Sequence, residues 1–445
     1  MPSACIPARQ AGKHAVTQKC QDIVIEALGA SGDGMALLPE GRLYVPLTVP
    51  GDRVRVAVRG NGPGGVCLGQ ALELLESGTQ RQVPGCPHHA AIGKDGCGGC
   101  SLQQVRQEAY RAFKLGVLET AVSRAGLSPV TWAAPSWTGE GQRRRACFAV
   151  QRSGSSVCLG FNQAGSHTIC NMETCLVLDQ RIVSALPGLR AALAEILKPG
   201  ETADLQVAVL GNALDVLLVR ARPLSAFDVS AFAGPAEMLG IARLSWRRNE
   251  RAPVEPLLVR QVPEIRMGGF VVRPPAGGFL QVSAASEQAL VAAVLEGMAN
   301  CQKVADLYAG IGTFALPLVA EGKRVLAVDA DPEAMAALED AGRRNVLGER
   351  LRILRRNLMQ HPMLAKELAG MEGVVLDPPR AGAAAQMDEV VKAGISRVMM
   401  VSCNPATFAR DAAVLAAAGY RMEKIWPVDQ FLYSPHMELA ALFAL

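Results

Sequence analysis

The chain predicts an α/β protein whose C-terminal part is a doubly wound, mostly parallel sheet of seven strands, preceded by a small β-barrel and a mainly β central domain. Three observations predict it. From about residue 276 to the end, short apolar runs alternate with Ala- and Leu-rich stretches of helical period. The first of those runs closes on Asp306-Leu307-Tyr308-Ala309-Gly310-Ile311-Gly312, the kind of tight turn at which such sheets hold ligands. Between Gln18 and about Leu75, apolar and polar residues alternate in short pieces split by Gly and Pro, which reads as barrel strands.

At 445 residues the chain has room for roughly three domains, and half of it is apolar. No apolar run reaches the roughly 18 residues of a membrane span, and Met1 to Gln10 has no signal-peptide core. A cytoplasmic monomer without membrane contact is expected. Twelve cysteines in such a compartment read as metal ligands, catalytic thiols or core rather than disulfides. The net charge of +4 permits an acidic partner. Basic residues cluster at Arg143-Arg144-Arg145, Arg247-Arg248, Arg343-Arg344 and between Arg352 and Arg356; such clusters are solvated faces unless something else points to nucleic acid.

Residues 1–16 lack any period and read as a disordered tail. Residues 17–76 hold about five short strands. The order Gly32-Asp33-Gly34, Val45-Pro46, Pro50-Gly51-Asp52 and Arg53-Val54-Arg55-Val56 resembles the TRAM domain, an OB-like module. That resemblance implies RNA binding; a generic small barrel with no RNA role would show similar strands.

In residues 77–130, Cys86-Pro87-His88-His89 precedes Gly96-Cys97-Gly98-Gly99-Cys100. Glycines let such a loop present its sulfurs on one side, where they can converge on one metal centre. A fourth ligand must come from elsewhere, with Cys170 and Cys175 the nearest candidates, while Cys147 and Cys158 lie in strand-like runs and read as core. Zinc, with His88 or His89 as a nitrogen ligand, suits the spacing as well as iron and sulfur do. Cys-Pro-His followed by Cys-Gly-Gly-Cys-x-Leu-Gln resembles the [4Fe-4S] segment of bacterial ribosomal RNA uridine-5-methyltransferases. The resemblance implies Cys86, Cys97, Cys100 and Cys175 as ligands, with Cys170 a bystander; an inserted tip, Ala91 to Asp95, departs from the family spacing.

A helix is predicted over 102–126, and residues 131–275 read as mainly strand with one strong helix, Asp179 to Leu197. Three adjacent arginines, Arg143 to Arg145, enter a strand there and suggest an RNA-docking platform. Low aromatic content (4%) argues against extended base stacking, so RNA contact should be mainly electrostatic.

The C-terminal strands are placed at 303–307, 324–329, 351–354, 373–377, 397–401, 423–428 and 439–443. Asp329 closes the second strand, where a carboxylate can accept hydrogen bonds from a ribose. The turn at 306–312 followed by Val328-Asp329 resembles the S-adenosylmethionine (SAM) site of class I methyltransferases. Asp377-Pro378-Pro379 ends the fourth strand, where Asp377 could also be a helix cap. A thiol, Cys403, follows the fifth. With His436-Met437-Glu438, these stretches of residues 276–445 closely resemble the RNA uracil-5-methyltransferase family, with a Rossmann-like class I domain.

The resemblance implies that Cys403 adds to C6 of a uracil and Glu438 removes the C5 proton. It also implies that Gln281, Tyr308, Thr313, Asp329, Asn357 and Asp377 line the SAM pocket, with a base-edge contact open for Asp377. An electropositive, partly exposed position is expected to activate Cys403. Ser283 and Thr313 stand where the family commonly has Asn. The target base would have to leave its stack. Members with both a TRAM-like barrel and a cysteine cluster are typically the ribosomal type, so 23S rRNA is the expected partner, with tRNA as the alternative. A non-catalytic RNA-binding protein would not need Cys403, Asp377 and Glu438, and nothing matches a cytosine-5-methyltransferase.

Overall fold

The computed structural model describes residues 20–62, 65–128 and 131–445. The expected disordered tail, 1–16, lies outside them. Residues 20–76 form a six-stranded sheet in the spatial order Cys20–Val24, Arg53–Gly62, Val66–Glu76, Gly41–Val45, Gly34–Leu38 and Ala27–Leu28. Ile23, Leu43, Val45, Val54 and Val56 make its core.

The central domain is a seven-stranded sheet running from Ile169–Asn171 at one edge to Glu255–Val259 at the other. The predicted helix is there as Gln180–Ile196, with Asp179 as its N-cap. A second helix, Ala226–Met238, was not expected, because Gly234 and Pro235 break its pattern. A complete capping box between Ser225 and Asp228 starts it, and burial of Phe232 and Ala236 holds it.

The C-terminal sheet has nine strands, among them the seven predicted. Those seven run Leu351–Arg355, Arg324–Asp329, Lys303–Leu307, Gly373–Leu376, Arg397–Ser402, Glu438–Ala444 and Arg421–Asp429 in space. All their pairings are parallel except those of Glu438–Ala444. Two short pieces, Thr131–Trp132 and Ser136–Trp137, extend the sheet beside Arg421–Asp429.

Period-two alternation sends Val304, Val325, Val375, Met399 and Val401 to one face. Ala305, Leu326, Val374, Val398 and Met400 go to the other. Burial on both faces is why these strands read as continuous apolar runs. Leu290, Phe314 and Leu338 cover the first face; Phe408, Leu415 and Met387 cover the second.

The helix predicted over 102–126 is shorter, Gln107–Arg124, and adds Leu118 and Val122 to that second layer. On it, Lys114 (0% exposed) meets Asp429 (1% exposed) at 2.5 Å, and Tyr110 donates to the same carboxylate at 2.6 Å. Removing one partner of a buried pair strands the other charge. Lys114→Met is therefore expected to cost about 3–5 kcal/mol of stability. Denaturant unfolding checks this, and a wild-type transition would contradict it.

Candidate active site

Sheet topology gathers the site. Parallel strands bring Leu307, Asp329, Leu376 and Ser402 to one edge. The antiparallel strand starts at that edge, and its register pairs Ser402 with Leu439. Glu438 thus begins its strand beside the point where Cys403 leaves its own. Asn404 caps the next helix, Pro405–Ala417, by accepting from the Ala406 N–H at 3.1 Å. Cys403 is held between a strand end and a helix start.

One cavity of about 490 Å³ is lined by Gln281, Tyr308, Thr313, Asp329, Asn357, Asp377, Cys403 and Glu438, so every catalytic and cofactor residue expected from the sequence converges there. The Asp329 carboxylate accepts from the N–H of Gly310 at 2.9 Å and that of Asp331 at 2.8 Å, which fixes the glycine turn. Gly312 has φ +96°, and a Cβ there would lie 2.5 Å from Leu338, so the turn needs glycine. Ser283 stands outside this cavity; it caps helix Ala284–Gly297, accepting from the Ser286 N–H at 3.1 Å. A second groove, about 930 Å³, runs from Leu28 and Pro50 of the N-terminal β region along helix Gln107–Arg124 to Cys403. Cys403 and Arg380 line both spaces.

The electrostatics correct one expectation. Burial pushes the Cys403 thiol above its ordinary range, and the charges of Glu438 and Asp377 push the same way; Arg380 opposes them without prevailing. The surroundings of the thiol are partly exposed but not net electropositive. Glu438 is also raised, first by burial and then by Asp377, while hydrogen bonding to Gln430 and the charge of Arg380 pull it down. Burial raises Asp377 too.

Each arginine of the triplet has a contact within the protein, and among the described residues only Arg144 is held in an ion pair. Arg144 pairs with Glu287 at 2.5 Å and donates to the Gln281 carbonyl. Arg145 lies over the Phe279 ring, 4.7 Å from its centroid, at the wall of the catalytic cavity. Arg143 donates to the Arg145 carbonyl and faces the cysteine cavity.

Cys86, Cys97, Cys100 and Cys175 line one cavity of about 370 Å³, together with His88 and His89. Gly98 has no room for a side chain, since a Cβ would meet the Ala164 nitrogen at 2.8 Å. Its N–H instead donates to the Asn162 carbonyl and ties the loop to the central sheet. Among the described residues no group of three His, Cys, Asp or Glu is arranged to hold a metal ion as it stands. The donor chemistry nevertheless fits one, with five thiols, Cys147 among them, and no carboxylate in the lining. Burial pushes Cys97 up to about 12 and Cys100 to about 11, so without a metal they are neutral. His88 and His89 in the same lining keep a nitrogen ligand within reach. Cys158 is core as expected, but Cys147 is exposed and lines this cavity, because Ala146 and Phe148 take the buried side of its strand.

Phe431 lines the catalytic cavity as well as the cysteine cavity. The carbonyl of Tyr433 accepts from the N–H groups of Ser101 and Leu102 at 2.9 and 3.0 Å. The segment leading into Glu438 is thus a wall shared with the cysteine loop.

Four residues of the site had no role assigned from the sequence. Arg380 follows Asp377-Pro378-Pro379, and a cation beside a strand-end thiol was the available signal. Phe279 and Gln430 line the catalytic cavity. Asp306 is fully buried near the end of strand Lys303–Leu307; burial, with the charge of Asp377, pushes it up to about 8 against a backbone hydrogen bond from Ala315.

The fold and the strand-end cavity define a class I SAM-dependent methyltransferase. Comparison with known proteins narrows this. The tRNA (uracil-5-)-methyltransferase family model matches residues 235–444. An RNA methyltransferase of Agrobacterium fabrum is 36% identical over 429 residues, covering 95% of this chain and 99% of that one. The 23S rRNA (uracil(1939)-C(5))-methyltransferase RlmD of Pseudomonas fluorescens is 34% identical over 438 residues, covering 96% and 94%. The crystal structure of Pyrococcus abyssi tRNA (uracil-54, C5)-methyltransferase with S-adenosyl-L-homocysteine superposes with a TM-score of 0.74 at 21% identity, over 95% and 99% of the chains. The chain belongs to the RNA uracil-5-methyltransferase family and is a SAM-dependent enzyme.

Proposed function

We propose that the protein methylates C5 of a uridine in 23S rRNA through a covalent adduct on Cys403. The observation that carries this is the meeting of two spaces at Cys403, a strand-end cavity on one side and a groove shared with the barrel on the other. Bound SAM supplies an electrophilic methyl group. In the proposed sequence the Cys403 sulfur bonds to C6 of the uracil, and the electron pair moves to the O4 enolate and makes C5 nucleophilic. After C5 takes the methyl group, Glu438 removes the C5 proton. The C6–S bond then breaks, restoring the ring double bond and the thiolate. Arg380, beside Cys403, favours the thiolate. Gln281, Tyr308, Thr313, Asp329, Asn357 and Asp377 hold the cofactor, with Asp377 also within reach of a base edge.

The likeness to RlmD supports 23S rRNA over tRNA. Flanking RNA would lie in the groove between the TRAM-like barrel and helix Gln107–Arg124. Purified protein, labelled SAM and unmodified transcripts test the reading directly. The 23S transcript should acquire 5-methyluridine and the tRNA transcripts should not; methylated cytidine, or label in tRNA alone, would contradict it.

We further assign Cys86, Cys97, Cys100 and Cys175 to a [4Fe-4S] cluster. Protein purified anaerobically is expected to be brown, with a broad visible absorption that Cys97→Ser removes. A colourless, zinc-containing protein would overturn the iron assignment.

A further inference from the structure

Glu438 does not sit alone in its pocket. Gln430, 3% exposed, places its side-chain amide between Glu438 and Gln281, itself 3% exposed. The Nε2 of Gln430 is 2.5 Å from Oε2 of Glu438 and 3.0 Å from Oε1 of Gln281. Its Oε1 accepts the backbone N–H of Val282 at 3.0 Å. Gln281 in turn donates from Nε2 to Oδ2 of Asp377 at 3.1 Å.

These contacts have only one consistent direction. A backbone N–H donates and never accepts, so the oxygen of the Gln430 amide must face Val282 and its nitrogen must face Glu438 and Gln281. Both amide hydrogens of Gln430 are then spent. Because Gln281 accepts with its oxygen, its nitrogen must point to Asp377. One N–H therefore orders a chain from Glu438 through two amides to Asp377, and at both ends one carboxyl oxygen is obliged to accept.

We infer that Gln430 is a positioning residue for the proton-removal step: it pins Oε2 of Glu438 as an acceptor and leaves Oε1 as the atom that takes the C5 proton. This rests on the assignment of Glu438 as the base. The groups that face Glu438 are Asp377, Arg380, Cys403 and Gln430. Of these, Arg380 and Gln430 favour the ionised base. Losing the Gln430 donor frees the carboxyl to rotate and moves its ionisation to higher pH.

The test uses the full-length protein, an unmodified 23S rRNA transcript and SAM, and follows formation and breakdown of the protein–RNA adduct on denaturing gels across pH. Gln430→Met removes the donor. Gln430→Glu keeps the size and the acceptor for Val282 but replaces the fixed N–H donor by a carboxyl that competes with Glu438 for a proton, so it remains readable where the methionine variant fails to fold. In both, the adduct that forms is expected to break down roughly tenfold to a hundredfold more slowly than in the wild-type protein, with the pH midpoint of breakdown displaced upward. Wild-type breakdown and an unmoved midpoint would overturn the role of Gln430. Glu438→Gln, run beside them, separates the two assignments: if it holds adduct while the Gln430 variants release normally, only the relay fails. If Glu438→Gln also releases normally, the base assignment fails and the relay with it.

Discussion

Cys403→Ala is expected to abolish methyl transfer, by a factor on the order of 10⁴ or more, while SAM still binds. The thiol is the one group at the junction of the two spaces that can form a bond to carbon, and removing it leaves uracil C5 an unactivated carbon. Cofactor affinity should hold, because Asp329 is fixed by the backbone N–H groups of Gly310 and Asp331, away from the strand that carries Cys403. The measurement pairs a methyl-transfer assay with calorimetric binding of SAM. Full activity in the alanine variant would sink the covalent route. Substantial loss of SAM affinity would mean that the cysteine holds the cofactor pocket together.

Glu438→Gln should do the opposite of Cys403→Ala: the adduct forms and then persists. Glutamine keeps the shape of Glu438 but cannot take a proton, so release should slow by about 10² to 10⁴. The sign of the pH dependence follows from burial. Glu438 acts as a base only when ionised, and burial with the Asp377 charge beside it raises its pKa. The Cys403 thiol is raised as well, and it attacks only as thiolate. Activity of the wild-type protein should therefore climb with pH beyond the range in which ordinary carboxylates have already titrated. A denaturation-resistant protein–RNA band in Glu438→Gln checks the first point. Its absence, in a variant that still binds SAM, would count against proton removal by Glu438.

Much of the C-terminal domain was legible because burial on both faces leaves a plain mark, apolar runs with turns at their carboxyl ends. Asp329, Asp377 and Cys403 could be placed at strand ends for that reason alone. Glu438 was different. It came from resemblance, and only the antiparallel register with Ser402 and Leu439 shows why the start of the last strand reaches the thiol.

Features set by distant partners were not legible. Arg143 to Arg145 read as a cationic surface because Glu287 and Phe279, which occupy Arg144 and Arg145, lie more than a hundred residues away. Gln430 carried no signal either, since its meaning lies in contacts with Gln281 and Val282 across the fold. The charge around Cys403 was misjudged because an acidic pair, Glu438 and Asp377, faces it from other strands.

The most direct test of the whole reading is to map 5-methyluridine in ribosomal and transfer RNA from cells with the protein, without it, and with Cys403→Ala in its place. Loss of 5-methyluridine from 23S rRNA, restored by the wild-type chain and not by the alanine variant, is the expected result. An unchanged 23S rRNA, or a loss confined to tRNA, would contradict it.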